Sequence, residues 1–143
     1  MGDAPTALLQ TVRLFSQLDR RSLKKVAEAL TERTFAAGEA LARENEVGVG
    51  FFVIAEGRAT VTVLGKIVAR LGPGDHVGEM ALIAESPRMA TVTADTDLRC
   101  YGMTSWAFRQ LAESNAGLAW ALLKSTMERV RELEQVRATA EAP

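Results

Sequence analysis

The sequence predicts an α+β chain in which a sandwich or barrel of short strands lies between helices. Three observations carry this. From about residue 33 to residue 103, apolar residues come in short runs, some alternating with polar ones at period two, and turn residues separate the runs. Before and after that region the apolar residues recur at helical spacing. The length of 143 residues suits one domain with a complete core. The expected division is N-terminal helices over 1–32, strands over 33–103, C-terminal helices over 104–137 and a polar, frayed tail over 138–143.

Taken in order, Leu8, Leu9, Val12 and Phe15 mark a helix over residues 6–17. A second helix opens at Asp19, whose carboxylate suits an N-cap, and turns Leu23, Val26, Ala27 and Leu30 to one side. Arg20, Arg21, Lys24 and Lys25 lie on its other side. Glu28 and Glu32 follow and no aromatic residues interleave, so this reads as a solvated face rather than an anion-binding one. Short strands are expected at Ala40–Ala42, Phe51–Ile54, Arg58–Val63, Lys66–Leu71, Ala90–Ala94 and Leu98–Tyr101. Gly65 opens a tight hairpin, and Gly72-Pro73-Gly74-Asp75 is a strong turn leading through His76-Val77. Trp106, Phe108 and Leu111 mark a short helix starting near Ser105. A longer one runs from Ala116 to Val136 with an apolar stripe of Leu118, Leu122, Leu123, Met127, Val130, Leu133 and Val136.

Composition narrows the function. A net charge of −1 argues against nucleic acid or an anionic membrane surface as the main partner. No apolar run reaches the ~20 residues of a membrane-spanning helix. The opening Met-Gly-Asp-Ala-Pro lacks the basic and apolar regions of a signal peptide, so the cytoplasm is the default expectation. The single cysteine, Cys100, excludes an intrachain disulfide and reads as a buried strand thiol. The single histidine, His76, cannot supply the ligand set of a metal oxygenase or phosphodiesterase, so a binding module rather than an enzyme is expected, with no cofactor.

The most informative stretch is residues 78–92, Gly-Glu-Met-Ala-Leu-Ile-Ala-Glu-Ser-Pro-Arg-Met-Ala-Thr-Val. Gly78 allows close backbone approach. Residues 79–84 read as a short helix whose first N–H groups and positive dipole end suit an anion. Pro87 fixes a corner that aims Arg88, whose planar fork can engage two phosphate oxygens. The N–H groups of Met89 and Ala90 add backbone donors, and Glu79 suits a sugar hydroxyl. This layout calls for a phosphate and a ribose hydroxyl a few ångströms apart.

The stretch resembles the phosphate-binding cassette of the cyclic-nucleotide-binding domain family, close to Phe-Gly-Glu-Leu-Ala-Leu, a spacer, then Pro-Arg-Ala-Ala-Thr-Val. The resemblance implies an antiparallel β jelly-roll (a double-stranded β-helix) with N-terminal helices and a long C-terminal helix. It implies that Arg88 pairs with the cyclic phosphate and Glu79 with the ribose 2′-hydroxyl. Gly78, Ala81, Met89 and Ala90 fall on backbone or close-approach positions, and Met80 belongs to the same ligand-binding set. Val61, Val63, Ala69 and Leu71 fall on strands that wall the base, with Val61 and Leu71 the chosen contacts. Where relatives carry a Thr or Ser that assists guanine or phosphate binding, this chain has Met89, which implies cAMP over cGMP. The C-terminal helix commonly supplies a lid over the base, here Val130, Arg131, Leu133, Glu134 or Gln135.

Two departures stand out. The acid usual before Phe51-Phe52 is absent from Gly48-Val49-Gly50, a change expected to affect the loop and not ligand binding; and Val77 replaces the phenylalanine before Gly-Glu. The expected function is a stand-alone sensor whose ligand repositions the C-terminal helix, acting on an effector protein or through a homodimer contact along that helix. One alternative is the ligand-binding fragment of a transcription regulator, since many bacterial relatives append a helix-turn-helix and no basic recognition helix follows here. The other is a degenerate domain acting only through protein contacts, against which Glu79 and Arg88 argue.

Overall fold

Two four-stranded antiparallel sheets stack face to face, and helices cover the outer face of one of them. A computed structural model of the chain describes residues 4–48, 50–78, 82–83 and 86–141. The strands are β1 (Thr31–Phe35), β2 (Ala40–Ala42), β3 (Gly50–Glu56), β4 (Ala59–Val63), β5 (Lys66–Leu71), β6 (His76–Val77), β7 (Thr91–Ala94) and β8 (Leu98–Thr104). The helices are α1 (Thr6–Leu9), a 3-10 turn (Arg13–Phe15), α2 (Arg20–Ala29), α3 (Ser105–Glu113) and α4 (Ala116–Glu141). One sheet runs β1-β8-β3-β6 and the other β2-β7-β4-β5, the jelly-roll arrangement expected from the sequence.

β3 explains the two cores. Its alternation sends Phe51 and Val53 toward the helices, and Phe52 and Ile54 between the sheets; all four are buried. β8 repeats this, with Tyr101 and Met103 on the helical side and Leu98 and Cys100 between the sheets. The Phe51 ring meets Phe15 edge-on at 5.7 Å, tying the 3-10 turn to the sheet. Gly102 leaves room for the Phe52 ring, whose nearest carbon would lie 2.9 Å from an added Cβ. Burial pushes the Cys100 thiol up to about 11, in keeping with a structural thiol.

Local chemistry accounts for the element ends. The Asp19 carboxylate accepts from Ser22 N–H at 2.7 Å and caps α2 as expected. Leu64 and Gly65 both have positive φ, the two-residue turn that matches hairpin twist, and the Glu44 carboxylate accepts from Leu64 N–H at 3.0 Å. Asp75 closes the Gly72–Asp75 turn by accepting from Gly72 N–H at 2.8 Å.

The structure departs from the sequence expectations in three places. The helix expected over 6–17 is two pieces, because Val12 is extended; the Thr11 hydroxyl donates back to the Leu8 carbonyl at 2.6 Å, with the Gly74 carbonyl also within reach at 3.0 Å. A strand begins at Thr31, two residues before the expected boundary; its polar sequence is paired along its length with β8. α3 begins at Ser105 as expected, and the Thr104 hydroxyl before it accepts from Ala107 N–H at 3.3 Å as its cap. The supposed tail is helical to Glu141, supported by the Arg137–Glu141 ion pair at 3.2 Å, one helical turn apart. α4 itself buries Leu118, Leu122 and Ser125, while Leu123, Met127, Val130, Leu133 and Val136 are exposed. Among the described residues no helix is long and apolar enough to cross a membrane.

Because Phe51 joins the sheet to the 3-10 turn, Phe51→Ala is expected to lower unfolding free energy by about 3–5 kcal/mol. Urea unfolding of the two proteins measures this, and a loss below 1 kcal/mol (about a fivefold change in equilibrium) would contradict the packing role given to Phe51.

Candidate functional site

The site is built around the guanidinium of Arg88. The chain on either side of it is stitched antiparallel to the loop before β3. Arg88 N–H donates to the Glu46 carbonyl at 2.8 Å, Asn45 N–H donates to the Arg88 carbonyl at 2.9 Å, and Pro87 bridges Val47. Asn45 takes a positive φ of 67° to make this turn, which asparagine tolerates. The Arg88 backbone is thereby fixed, and its side chain reaches back over the start of β3.

There, Arg88 Nη2 donates to the Gly50 carbonyl at 2.6 Å. Its Nε is buried and has no hydrogen-bond partner among the described residues. No carboxylate among the described residues forms an ion pair with it. Burial holds the guanidinium below its ordinary value, though it stays charged at any physiological pH. A half-buried cation with an unused, buried donor is costly unless an anion completes it. The guanidinium therefore provides a planar donor set awaiting a phosphate-like group.

Glycine is required around it for a specific reason. A Cβ at Gly48 would overlap Nε and the carbon of the Arg88 guanidinium. A Cβ at Gly78 would overlap Arg88 Nη1 and come within 2.5 Å of the Gly50 carbonyl oxygen, and Gly78 also has a φ of +84°. So the close approach expected at Gly78 is, within the chain, an approach to the arginine. Gly48 belongs to the same cradle. The sequence reading treated Gly48-Val49-Gly50 as a departure without consequence for the ligand; its glycines are instead the seat of Arg88.

A cavity of about 290 Å³ opens beside this cradle, near the lower end of the usual range for ligand clefts. Gly78, Arg88, Met89 and Ala90 line it, together with Val61 of β4 and Leu71 of β5, as the sequence reading expected. Met89 is 77% exposed and covers little of it. Val63 and Ala69 are not among its described lining residues. Ser86, Pro87 and Val92 of the 78–92 stretch line it too, as do Ala42, His76 and Val77, which the sequence does not mark as contacts. Of these, Val92 is also legible in the buried alternation of β7. Glu79, Met80 and Ala81 lie outside the described residues. No residue of α4 is among the described lining residues, so the expected lid positions, Val130 to Gln135, do not cover this cavity.

His76 enters through β6, where it pairs with Val53 while Val77 pairs with Phe52. Its ring packs against Phe51, 5.8 Å between centroids, on the helical side. Burial, and then the charge of Arg129 on α4, hold His76 below its ordinary value, so it is neutral at pH 7. Among the described residues no group of His, Cys, Asp and Glu could hold a metal ion.

Comparison with known proteins agrees with this geometry. A family model described as the cyclic nucleotide-binding domain matches residues 32–115. The chain is 38% identical over 122 residues to a cyclic nucleotide-gated potassium channel of Rhizobium etli, covering 85% of this chain and 34% of the channel. It is 38% identical over 106 residues to the cAMP-dependent protein kinase regulatory subunit of Schizosaccharomyces pombe, covering 73% of this chain and 26% of that protein. The chain thus spans about a third or less of the length of these curated relatives. The N-terminal domain of a transcriptional regulator from Streptomyces coelicolor A3(2) superposes with a TM-score of 0.84 at 26% identity, covering 90% of this chain and 95% of that domain.

The glycine cradle makes a paired prediction. Gly48→Ala should leave the fold intact, since only the end of the Arg88 side chain must move, but should weaken anion binding in the cavity about tenfold. Gly78→Ala should in addition lose about 1–2 kcal/mol of stability through its positive φ. Thermal melts with and without cAMP separate the two effects; a Gly48→Ala protein that binds cAMP like the parent would show that the seat is not required.

Proposed function

Because the chain belongs to the cyclic nucleotide-binding domain family, we propose that it is a sensor for a cyclic nucleotide, cAMP before cGMP, with no catalytic activity of its own. The observation that carries this is the half-buried Arg88 guanidinium beside a cavity of about 290 Å³, its buried Nε without a partner among the described residues. In this reading the cyclic phosphate accepts from Arg88 and from backbone N–H groups of the cassette. Val61 and Leu71 pack against the base, and Glu79 accepts from the ribose 2′-hydroxyl. Met80 and Ala81 complete the cassette backbone. Met89, which has no hydroxyl to offer guanine, supports the preference for cAMP.

The relatives give the reading context without assigning an output. One is named a cyclic nucleotide-gated channel, another a cAMP-dependent kinase regulatory subunit, and the superposed domain is from a transcriptional regulator. A role as the ligand-binding part of a transcription regulator is the second reading, favoured by the coverage of 95% of that domain.

At ~0.3 kcal/mol for each of the roughly 22 non-hydrogen atoms of cAMP, affinity falls near 10 µM, tighter if the pocket is preorganised. Calorimetric titration should give saturable cAMP binding with weaker cGMP binding. Arg88→Ala should lose at least about tenfold, from the hydrogen bonds of a charged group. Unchanged affinity in Arg88→Ala would remove the site; cGMP binding as tight as cAMP would remove the Met89 argument alone.

Signalling requires that the ligand favour one arrangement of the chain over another. α4 is the element we expect to move. It is held to the 3-10 turn by the Arg13–Glu132 ion pair and to Gln17, whose Nε2 donates to Glu128 at 2.7 Å, while its exposed Leu123, Met127 and Val136 offer a surface to an effector or a second copy. Spin labels on Leu133 and on β4 should report a distance change on saturation with cAMP, and light scattering on the same samples distinguishes self-association from docking of another protein. An unchanged distance distribution would show that α4 does not respond.

A further inference from the structure

The hairpin that joins β4 to β5 turns on a residue its backbone does not favour. A two-residue turn with positive φ at both positions is ordinarily built from asparagine, aspartate or glycine. Here the first position is Leu64, with φ 51°, followed by Gly65 with φ 79°. A bulky aliphatic side chain is disfavoured in that conformation. It gains nothing within the chain in return, for Leu64 is 84% exposed. The turn is nonetheless held in place, because the Glu44 carboxylate accepts from Leu64 N–H with both oxygens, at 3.0 and 3.2 Å. A fixed, strained turn that holds an aliphatic group out in solvent has its reason outside the chain.

The rest of the hairpin indicates what lies there. β5 is the edge of its sheet, and residues 66–70 are all exposed, Ile67 and Val68 among them at 57% and 58%. A bulge sets Val68 out of register with β4, and Lys66 and Arg70 charge the strand, two features that discourage the addition of another strand. Residues 58–71 contain no aromatic residue, the usual anchor of a protein contact. They contain Arg58, Lys66 and Arg70 and no Asp or Glu. Glu44 brings one negative charge to the tip, and Arg43 precedes it, so the tip as a whole is positive. Among the described residues none of Arg43, Lys66 and Arg70 forms an ion pair; Arg70 donates to the neutral Thr60 hydroxyl at 3.5 Å.

We propose that the tip of this hairpin docks on a membrane surface that carries anionic lipid. Leu64 enters the boundary between headgroups and acyl chains, with Ile67 and Val68 beside it. The long side chains of Arg43 and Lys66 keep their charges among the lipid phosphates. The chain's net charge of −1 excludes attraction by the whole surface, so the contact belongs to this hairpin alone. It is weak and reversible, because three partly inserted aliphatic side chains fall short of one myristoyl chain. The proposal does not rest on the nucleotide reading.

The test is co-sedimentation of the whole chain with vesicles of phosphatidylcholine alone and of phosphatidylcholine with about 30% phosphatidylserine. The parent should be half bound near ~1 mM anionic lipid and about tenfold more weakly bound by the neutral vesicles. Leu64→Asn should melt no lower than the parent, since asparagine tolerates the turn, yet bind about three- to tenfold more weakly. Lys66→Gln should lose about fivefold on the anionic vesicles and nothing on the neutral ones. Absence of binding at ~10 mM anionic lipid would overturn the proposal, as would a Leu64→Asn protein that binds like the parent. Self-association that disappears in Leu64→Asn without any lipid, read by light scattering, would also overturn it, and would place a second copy at the tip.

Discussion

β3 is buried on both faces, and the placement of every other element follows from that. A strand with Phe51 and Val53 on one side and Phe52 and Ile54 on the other must be covered twice. The second sheet covers one side and the helices cover the other. Antiparallel β8 and β6 flank it and bring Tyr101, Met103 and Val77 into the same two layers. The helices and the cavity beside Arg88 therefore lie on opposite sides of one sheet.

The start of β3 links the two sides. Gly50 pairs with Thr104 at the end of β8, where α3 begins, and its carbonyl accepts from Arg88. The anion-binding group is thus anchored to the backbone strand on which both cores are built. This is preorganisation: the guanidinium is held in place by Gly48, Gly50 and Gly78 before any ligand arrives, and little rotamer freedom remains to be lost on binding. His76 lies close by with the opposite orientation, its backbone beside the cavity and its ring under the helices near Phe51 and the charge of Arg129.

α4 divides along its length. Near its start Leu118 and Leu122 are sealed in the helical core; beyond Ser125 the apolar side chains are exposed, and Arg13–Glu132 and Gln17–Glu128 are among its attachments to the body. Exposed ion pairs contribute little individually. The far half of α4 buries less apolar surface than the near half.

The sequence by itself determined what local chemistry encodes. The limits of β2 and β5, the Asp19 cap, the turn at Leu64-Gly65 and the buried thiol of Cys100 each depend on residues within a few positions of one another. The cassette was legible for the same reason, since its glycine, proline and arginine are one short segment. Only the tertiary structure decided what depends on distant partners. The polar β1 is a strand because β8 pairs with it; Thr11, where the first helix breaks, meets Gly74, sixty-three residues away; and Gly48 matters because Arg88 folds back over it. Propensity is read along the chain, whereas a close approach between backbones exists only once the chain has closed on itself.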